Sequence, residues 1–242
     1  MTHNLGKITV ALDPEEREKF VNRLLLLDGL GTVVENPLAA YCPISLTATP
    51  TALKPFLAAR QASLMNEVLT PVGISAYDPA SAPYSPDVNL TSQPAEVYLV
   101  DSAKIASARI FTGHDLIPST GLGIELEKAK FFNRVAVILR DKNIRVSRMQ
   151  PNKAILLEYE NFQEQVGDFQ AVFSLLNNFD PGVGFHGDIP VLLGFEKNSN
   201  KIVDLEETVY LTFPHLQYKY RGEVPIIRLR AENPELFREY QQ

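Results

Sequence analysis

The sequence predicts an α/β fold: a parallel sheet with helices on its faces, an extra βα segment before it and a β-rich extension after it. Three observations carry this. Stretches with helical content alternate with short apolar, β-forming runs over residues 38–178, the pattern of parallel strands joined by helical crossovers. Val135-Ala136-Val137-Ile138-Leu139 is continuously apolar, as a buried strand requires. A glycine-bearing loop, Pro118-Ser119-Thr120-Gly121-Leu122-Gly123, leads from a strand into a helix, which is where α/β proteins put their sites. Together they describe a Rossmann/flavodoxin-like arrangement in one domain over residues 1–242, with its core at about 38–178, an N-terminal addition at 1–37 and a C-terminal extension at 179–242.

Residues 7–12 gather β-formers and end at Asp13-Pro14-Glu15-Glu16, an Asp N-cap with proline at the first helical position and early acids. That start predicts a helix to about residue 27, with Phe20, Leu24 and Leu27 spaced for burial. After Gly29 and Gly31, Thr32-Val33-Val34 and the apolar stretch 38–46 predict a core strand, broken by Pro43 and running out at Thr47-Ala48-Thr49-Pro50. Residues 51–68 predict a helix with Leu53, Phe56, Leu57, Leu64 and Val68 on one buried stripe. A short strand follows at 72–77 and ends at Asp78-Pro79. Pro83, Pro86 and Pro94, with interspersed serines, make 80–94 a surface loop of the length that often covers a site.

Next come a helix at 96–107, a strand at 109–112, a helix at 121–132, the strand at 135–139, a strand at 154–159 and a helix at 161–177. Beyond residue 180, Gly182, Gly184 and Gly187 predict a loop. Val191-Leu192-Leu193, Val209-Tyr210-Leu211-Thr212-Phe213 and Ile226-Ile227-Arg228-Leu229 predict strands, and 234–240 a final helix. This tail extends the sheet or packs in an oligomer interface.

Composition narrows the function classes. The 242 residues are 45% hydrophobic, enough for a substantial core, and a net charge of −6 gives no basic footprint. Nucleic acid and anionic membranes are therefore excluded as main partners, and a small ligand is expected. A single cysteine, Cys42, rules out an internal disulfide or a cysteine-based metal cluster. His3, His114, His186 and His215 lack metal spacing, so no metal and no cofactor are expected. Gly121-Leu122-Gly123 lacks the third glycine of a dinucleotide fingerprint, and no phosphate-loop Gly-Lys-Ser/Thr occurs. Met1-Thr2-His3-Asn4 has no signal-peptide character, and no apolar run approaches the ~20 residues of a membrane span. A soluble, cytoplasmic protein is expected.

The loop at 118–123 is the richest feature. Gly121 and Gly123 let backbone approach a ligand, and the free N–H groups of the opening turn favour anions. Glu125 follows at the helix start, which favours its ionised form. It shares a helical face with Leu122 and Ala129, so it points toward the sheet. The plain alternative is an acid that satisfies the helix's first turn.

The block from Asp101 to Glu125 resembles the nucleoside 2-deoxyribosyltransferase superfamily, including its 2′-deoxynucleoside 5′-monophosphate N-glycosidases. That family carries an aspartate in a helix, then a strand, then Pro-Ser-x-Gly-x-Gly-x-Glu-Leu, a small residue and a buried strand. Here these are Asp101, the strand 109–112, Pro118 to Leu126, Ala129 and the strand 135–139. Tyr41-Cys42-Pro43-Ile44-Ser45 resembles the family's first strand and the loop under base and sugar. The resemblance covers residues 38–175. It implies cleavage of the N-glycosidic bond of a nucleoside or its 5′-monophosphate, with Glu125 as nucleophile and Asp101 as acid or positioning group. Hydrolysis or transfer of the sugar to another base would follow.

Tyr41, Ser119, Thr120, Gly121 and Gly123 are implied as substrate contacts, and a homo-oligomer, dimer or larger, is implied as the assembly. Two carboxyl groups suit this chemistry, since retaining glycosidases hold them ~5 Å apart and one links covalently to the sugar. Serine at 119 is similar to the monophosphate hydrolases and suits a phosphate. Arg109 stands where the family usually has an aspartate, which changes either the loop's charge or its packing.

Each residue has a plainer reading. Asp101 could pair with Lys104 along a helix, Ser119 could be only an N-cap, and Tyr41 could be core. His114-Asp115 invites a dyad, but adjacent loop residues do not face each other, so solvent or turn roles are expected. The alternative functions are a catalytically inactive nucleotide-binding or scaffold protein of the same fold and a ribonucleotide phosphoribohydrolase.

Overall fold

The computed structural model describes residues 33–45, 49–81, 94–117, 119–143, 154–186, 189–199 and 201–218, together with the helical residues Glu15, Lys19 and Asn22. Pro118, Gly187 and the elements expected at 7–12, 226–229 and 234–240 lie outside the described residues, as do most of the helix at 13–27 and of the loop at 80–94.

A central sheet of five parallel strands runs β1 (Asn36–Tyr41), β2 (Ser75–Tyr77), β3 (Ala108–His114), β4 (Val135–Asp141) and β5 (Ala154–Tyr159) in the order β2-β1-β3-β4-β5. This is an α/β fold with flanking helices. The helices are α1 (Lys54–Ser63), α2 (Pro94–Ser107), α3 (Thr120–Phe131) and α4 (Val166–Leu176). The order reverses between β1 and β3, so their carboxyl ends diverge there into the crevice that doubly wound sheets use for ligands.

Alternation along the strands builds two cores. Tyr41, Phe111, Ala136 and Ile138 face α2 and α3, where Ile105, Ala106, Ala129 and Phe132 meet them. Ala40, Cys42, Ile110, Val137, Leu139, Ile155 and Leu157 face the other way, against Leu64 and Val68 after α1 and Phe169, Val172, Phe173 and Leu176 of α4. The α4 residues fall at i, i+3, i+4 and i+7, one helical stripe. Because β3 and β4 are covered on both faces, six of the seven residues in each are buried.

The helix expected at 51–68 is a 3-10 turn (Thr51–Leu53), then α1, then a π-helical turn (Leu64–Leu69). Leu57, Leu64 and Val68 are buried as expected, whereas Leu53 and Phe56 lie on its exposed side. Gly73, at φ 77°, ends the segment in the left-handed region that a side chain resists.

Arg109 acts through packing. It is 1% exposed at the amino end of β3 and donates from Nη1 to the Pro37 carbonyl (3.3 Å) and from Nη2 to the Leu176 carbonyl (3.0 Å). These bonds tie β1 to the end of α4, at the opposite end of the sheet from the crevice.

The C-terminal region corrects two expectations. Gly182 and Gly184 lie in a strand, not a loop: β6 (Phe179–His186), β7 (Ile189–Glu196) and β8 (Ile202–Asp204) form a separate antiparallel sheet. A Cβ at Gly182 would run into the Phe195 ring, so the glycine serves cross-strand packing. Val209 to Thr212 belong to a helix, α5 (Leu205–Thr212), not a strand. Asp204 caps it by accepting from the Glu207 N–H (3.0 Å), Glu206 and Glu207 fill the first turn, and Leu205 and Val209 bury one face.

Beyond α5 the chain extends the main sheet. Gln217 pairs antiparallel with Leu157, flanked by bonds from the Glu158 N–H to the Leu216 carbonyl (2.7 Å) and from the Tyr218 N–H to the Leu156 carbonyl (3.2 Å). The free edge of β5 is thereby covered. No helix among the described residues is long and apolar enough to cross a membrane.

Candidate active site

Tyr41 is the last residue of β1 and fully buried. Its register opposite Tyr77 in β2 and Phe111 in β3 puts three rings side by side on one face. Tyr41 stacks on Tyr77 at 5.7 Å and 24° and on Phe111 at 5.8 Å and 21°. Ring rotation is thus restricted, and the hydroxyl is aimed at the helices above the crevice.

Two carboxyl groups lie beside that hydroxyl. It donates to Glu125 Oε1 of α3 over 3.1 Å, and Asp101 of α2 lies close enough for its charge to act on both Tyr41 and Glu125. The residues are far apart in sequence and come together because α2 and α3 pack side by side on the face that carries Tyr41. Lys104, the alternative partner for Asp101, carries its ammonium 5.0 Å from the centroid of the Tyr77 ring.

A phenol has one proton to donate. It serves Glu125, and two carboxyl groups this close resist being ionised together. The electrostatics favour one proton held between the two carboxyl groups. Burial first, then the charge of Asp101, push Glu125 up to about 8 against the opposing bond from Tyr41. Asp101 is raised by burial, again opposed by Tyr41. Burial, then Glu125 and Asp101, drive Tyr41 far above the ordinary tyrosine range, so it remains a hydroxyl.

This corrects the expectation that the helix start keeps Glu125 ionised. The first turn of α3 holds no acid, and Glu125 lies one turn further in, where the helix end's field has faded and desolvation dominates.

The loop before α3 is built as a cap. Ser119 is extended (φ −141°, ψ 134°), its Oγ accepts from the Leu122 N–H (3.4 Å) and its carbonyl accepts from the Gly123 N–H (3.1 Å). Thr120, Gly121 and Gly123 are exposed along the opening turn. A Cβ at Gly123 would meet nothing within 4 Å, and one at Gly121 would meet only Ser119 Oγ at 3.7 Å. The protein's own packing leaves both positions open toward solvent, beside the helix start.

Gly113 has a different reason to be glycine. Its Cβ would lie 2.9 Å from the Pro43 carbonyl, so its absence lets the loop after β1 cross close over the end of β3. Sequence reading missed this residue and the flanking Tyr77 and Phe111. An aromatic near the carboxyl end of three successive strands was the available signal.

His114 and Asp115 diverge and form no dyad, but the solvent or turn roles expected for them are corrected: His114 ends β3 packed among aromatic rings, and Asp115 pairs with a buried arginine. Asp115 accepts from Arg140 Nη2 (2.7 Å), while His114 Nδ1 shares a bond with the Tyr159 hydroxyl (3.3 Å) and its ring meets Phe162 edge-on. Burial, then the Arg60 guanidinium, push His114 down to about 3, so it is neutral. Among the described residues no group of three or more His, Cys, Asp or Glu could hold a metal ion.

Comparison with known proteins adds the following. No known family's sequence pattern matches this chain, and no curated protein does. The solved structure of a CMP N-glycosidase, BcmB, from Clostridium botulinum is similar over 55% of this chain and 98% of its own length, with 14% identity and a TM-score of 0.39.

Proposed function

We propose that the protein cleaves the N-glycosidic bond of a (deoxy)nucleoside or its 5′-monophosphate, with Glu125 as nucleophile. The observation that carries this is Glu125 held by the Tyr41 hydroxyl, with a second carboxyl group, Asp101, acting on both, at the switch point of the sheet. Departure of a base leaves an oxocarbenium-like sugar, which a half-buried carboxylate stabilises and captures, while the base needs a proton to leave.

The Glu125–Tyr41–Asp101 group holds both. Its one proton passes to the leaving base, and the electron pair of the C1′–N bond goes with that base. The carboxylate left on Glu125 forms the new bond to C1′. Water then attacks the glycosyl ester, regenerating the Glu125 acid and releasing the sugar; a second base in place of water gives transfer. Atoms and charge balance in both steps, and Asp101 can remain ionised to support the positive sugar.

Ser119, Thr120, Gly121 and Gly123 offer the opening turn of α3 to the substrate's 5′ end. Tyr41 holds the nucleophile in place. The reading is tested by incubating the protein with a mixed pool of nucleosides and nucleotides and following free bases and new nucleosides by mass spectrometry. Base release that disappears in Glu125→Ala and Glu125→Gln is expected. Release undiminished in these variants rules out the assignment, and nucleotide binding without any product favours an inactive binding protein.

A further inference from the structure

The His114-Asp115 pair and the C-terminal extension stand outside the chemistry above, yet one residue of each meets Arg140. By alternation along β4, Arg140 follows Ala136 and Ile138, so it lies on the sheet face that carries Tyr41 and Phe111, at the carboxyl end. It is fully buried. Its Nη2 donates to Asp115 Oδ2 over 2.7 Å, and its Cζ lies 4.2 Å from the centre of the half-buried Tyr218 ring. Among the described residues Asp115 is the one acceptor that the guanidinium meets, so this buried charge depends on it.

Asp115 is fixed twice. Its N–H also donates to the Leu139 carbonyl (2.9 Å), which carries the β3–β4 ladder one residue past β3. Only Leu116, Ile117 and Pro118 separate it from Ser119, the N-cap of α3. Three linking residues leave little slack, so the place of Asp115 sets where α3 opens and, one turn further in, where Glu125 stands. Tyr218 in turn is placed by the extension, where Gln217 pairs with Leu157 and His215 Nε2 meets Asp168 Oδ2 of α4 at 2.9 Å.

We propose that Tyr218, Arg140 and Asp115 are positioning residues for the candidate site: the docked extension lays the Tyr218 ring against the guanidinium, the guanidinium holds Asp115, and Asp115 holds the loop that starts α3. This rests on the reading of Glu125 as nucleophile, and it gives the extension a part in the reaction. An aromatic face attracts a guanidinium electrostatically, so a phenylalanine can replace Tyr218 and an aliphatic side chain cannot.

The test uses the full chain and the mixed pool of nucleosides and nucleotides at low concentration, where the rate of base release follows kcat/KM. Tyr218→Leu should lower that rate about 10- to 100-fold, the scale of a misplaced reacting group, with the far-ultraviolet circular dichroism unchanged, and Tyr218→Phe should recover it. In ¹⁵N-labelled protein the Gly121 and Gly123 amide signals should move in Tyr218→Leu and keep their wild-type positions in Tyr218→Phe. Asp115→Asn should reproduce the loss, and adding Tyr218→Leu to it should cost little more, because both act through one loop. If Asp115→Asn does not fold, Tyr218→Leu decides alone. A wild-type rate in Tyr218→Leu, unmoved Gly121 and Gly123 signals, or losses that multiply in the double variant would overturn the proposal and leave Glu125 as nucleophile intact. Base release absent from the wild type, or undiminished in Glu125→Gln, would overturn that reading and this proposal with it.

Discussion

Replacing Glu125 with glutamine keeps the shape of the side chain and removes its titration. In the unfolded chain the carboxyl has its ordinary value of 4.5, and in the folded protein burial and Asp101 raise it to about 8. Between these values the folded state keeps a proton that the unfolded state has lost, so rising pH removes stability until the folded group also ionises above 8. At pH 7 that difference is worth about 3 kcal/mol, at ~1.4 kcal/mol per pH interval of linkage. Glu125→Gln escapes it. The variant should match the wild type near pH 4 and exceed it at pH 7 by about 3 kcal/mol, or about 6–12 °C in Tm for a chain of this size. Thermal unfolding followed by circular dichroism at pH 4, 5, 6, 7 and 8 reads the gap directly. Parallel wild-type and variant profiles, or a gap that widens toward acid, would refute the half-buried, proton-bearing carboxyl.

Tyr41→Phe removes the hydroxyl, which opposes the rise of Glu125, so base release should fall about 100-fold and its alkaline limb should move above that of the wild type; an unmoved limb would show that the hydroxyl does not couple to the pair. His114 is held at about 3 against an unfolded 6.5, so the unfolded chain takes up a proton that the folded one refuses, and stability should drop by about 5 kcal/mol as pH falls from 6.5 toward 3. His114→Phe should lose that acid slope in urea titrations; an unchanged slope would assign it elsewhere. Arg109→Met strands the Pro37 and Leu176 carbonyls and should cost about 2–4 kcal/mol while leaving the pH profile of base release unchanged, whereas a shifted profile would tie Arg109 to the site.

The middle of the sheet was legible in the sequence because β4 is buried on both faces and therefore reads as an unbroken apolar run at 135–139, whereas β1 and β2 are largely exposed at their starts. The α5 segment was not, because Val209, Tyr210 and Phe213 have β-forming side chains while the deciding signals, the Asp204 cap and the acids after it, lie upstream. Gly182 looked like a turn residue because its reason is a ring on the neighbouring strand. At the candidate site, Glu125, Asp101 and Tyr41 could be nominated singly, but their coming together depends on two helices packing over β1. The protonation of Glu125 depended on desolvation, which no local motif encodes.

The central claim is a sugar carried on Glu125. Rapid-quench mass spectrometry of the protein mixed with a substrate found in the nucleotide pool, followed by proteolysis, tests it most directly. The account predicts a transient mass increase of one sugar, or one sugar phosphate, on the peptide containing Glu125, rising together with free base and absent from Glu125→Gln. An adduct on another peptide, or base release that proceeds undiminished in Glu125→Gln, would contradict it.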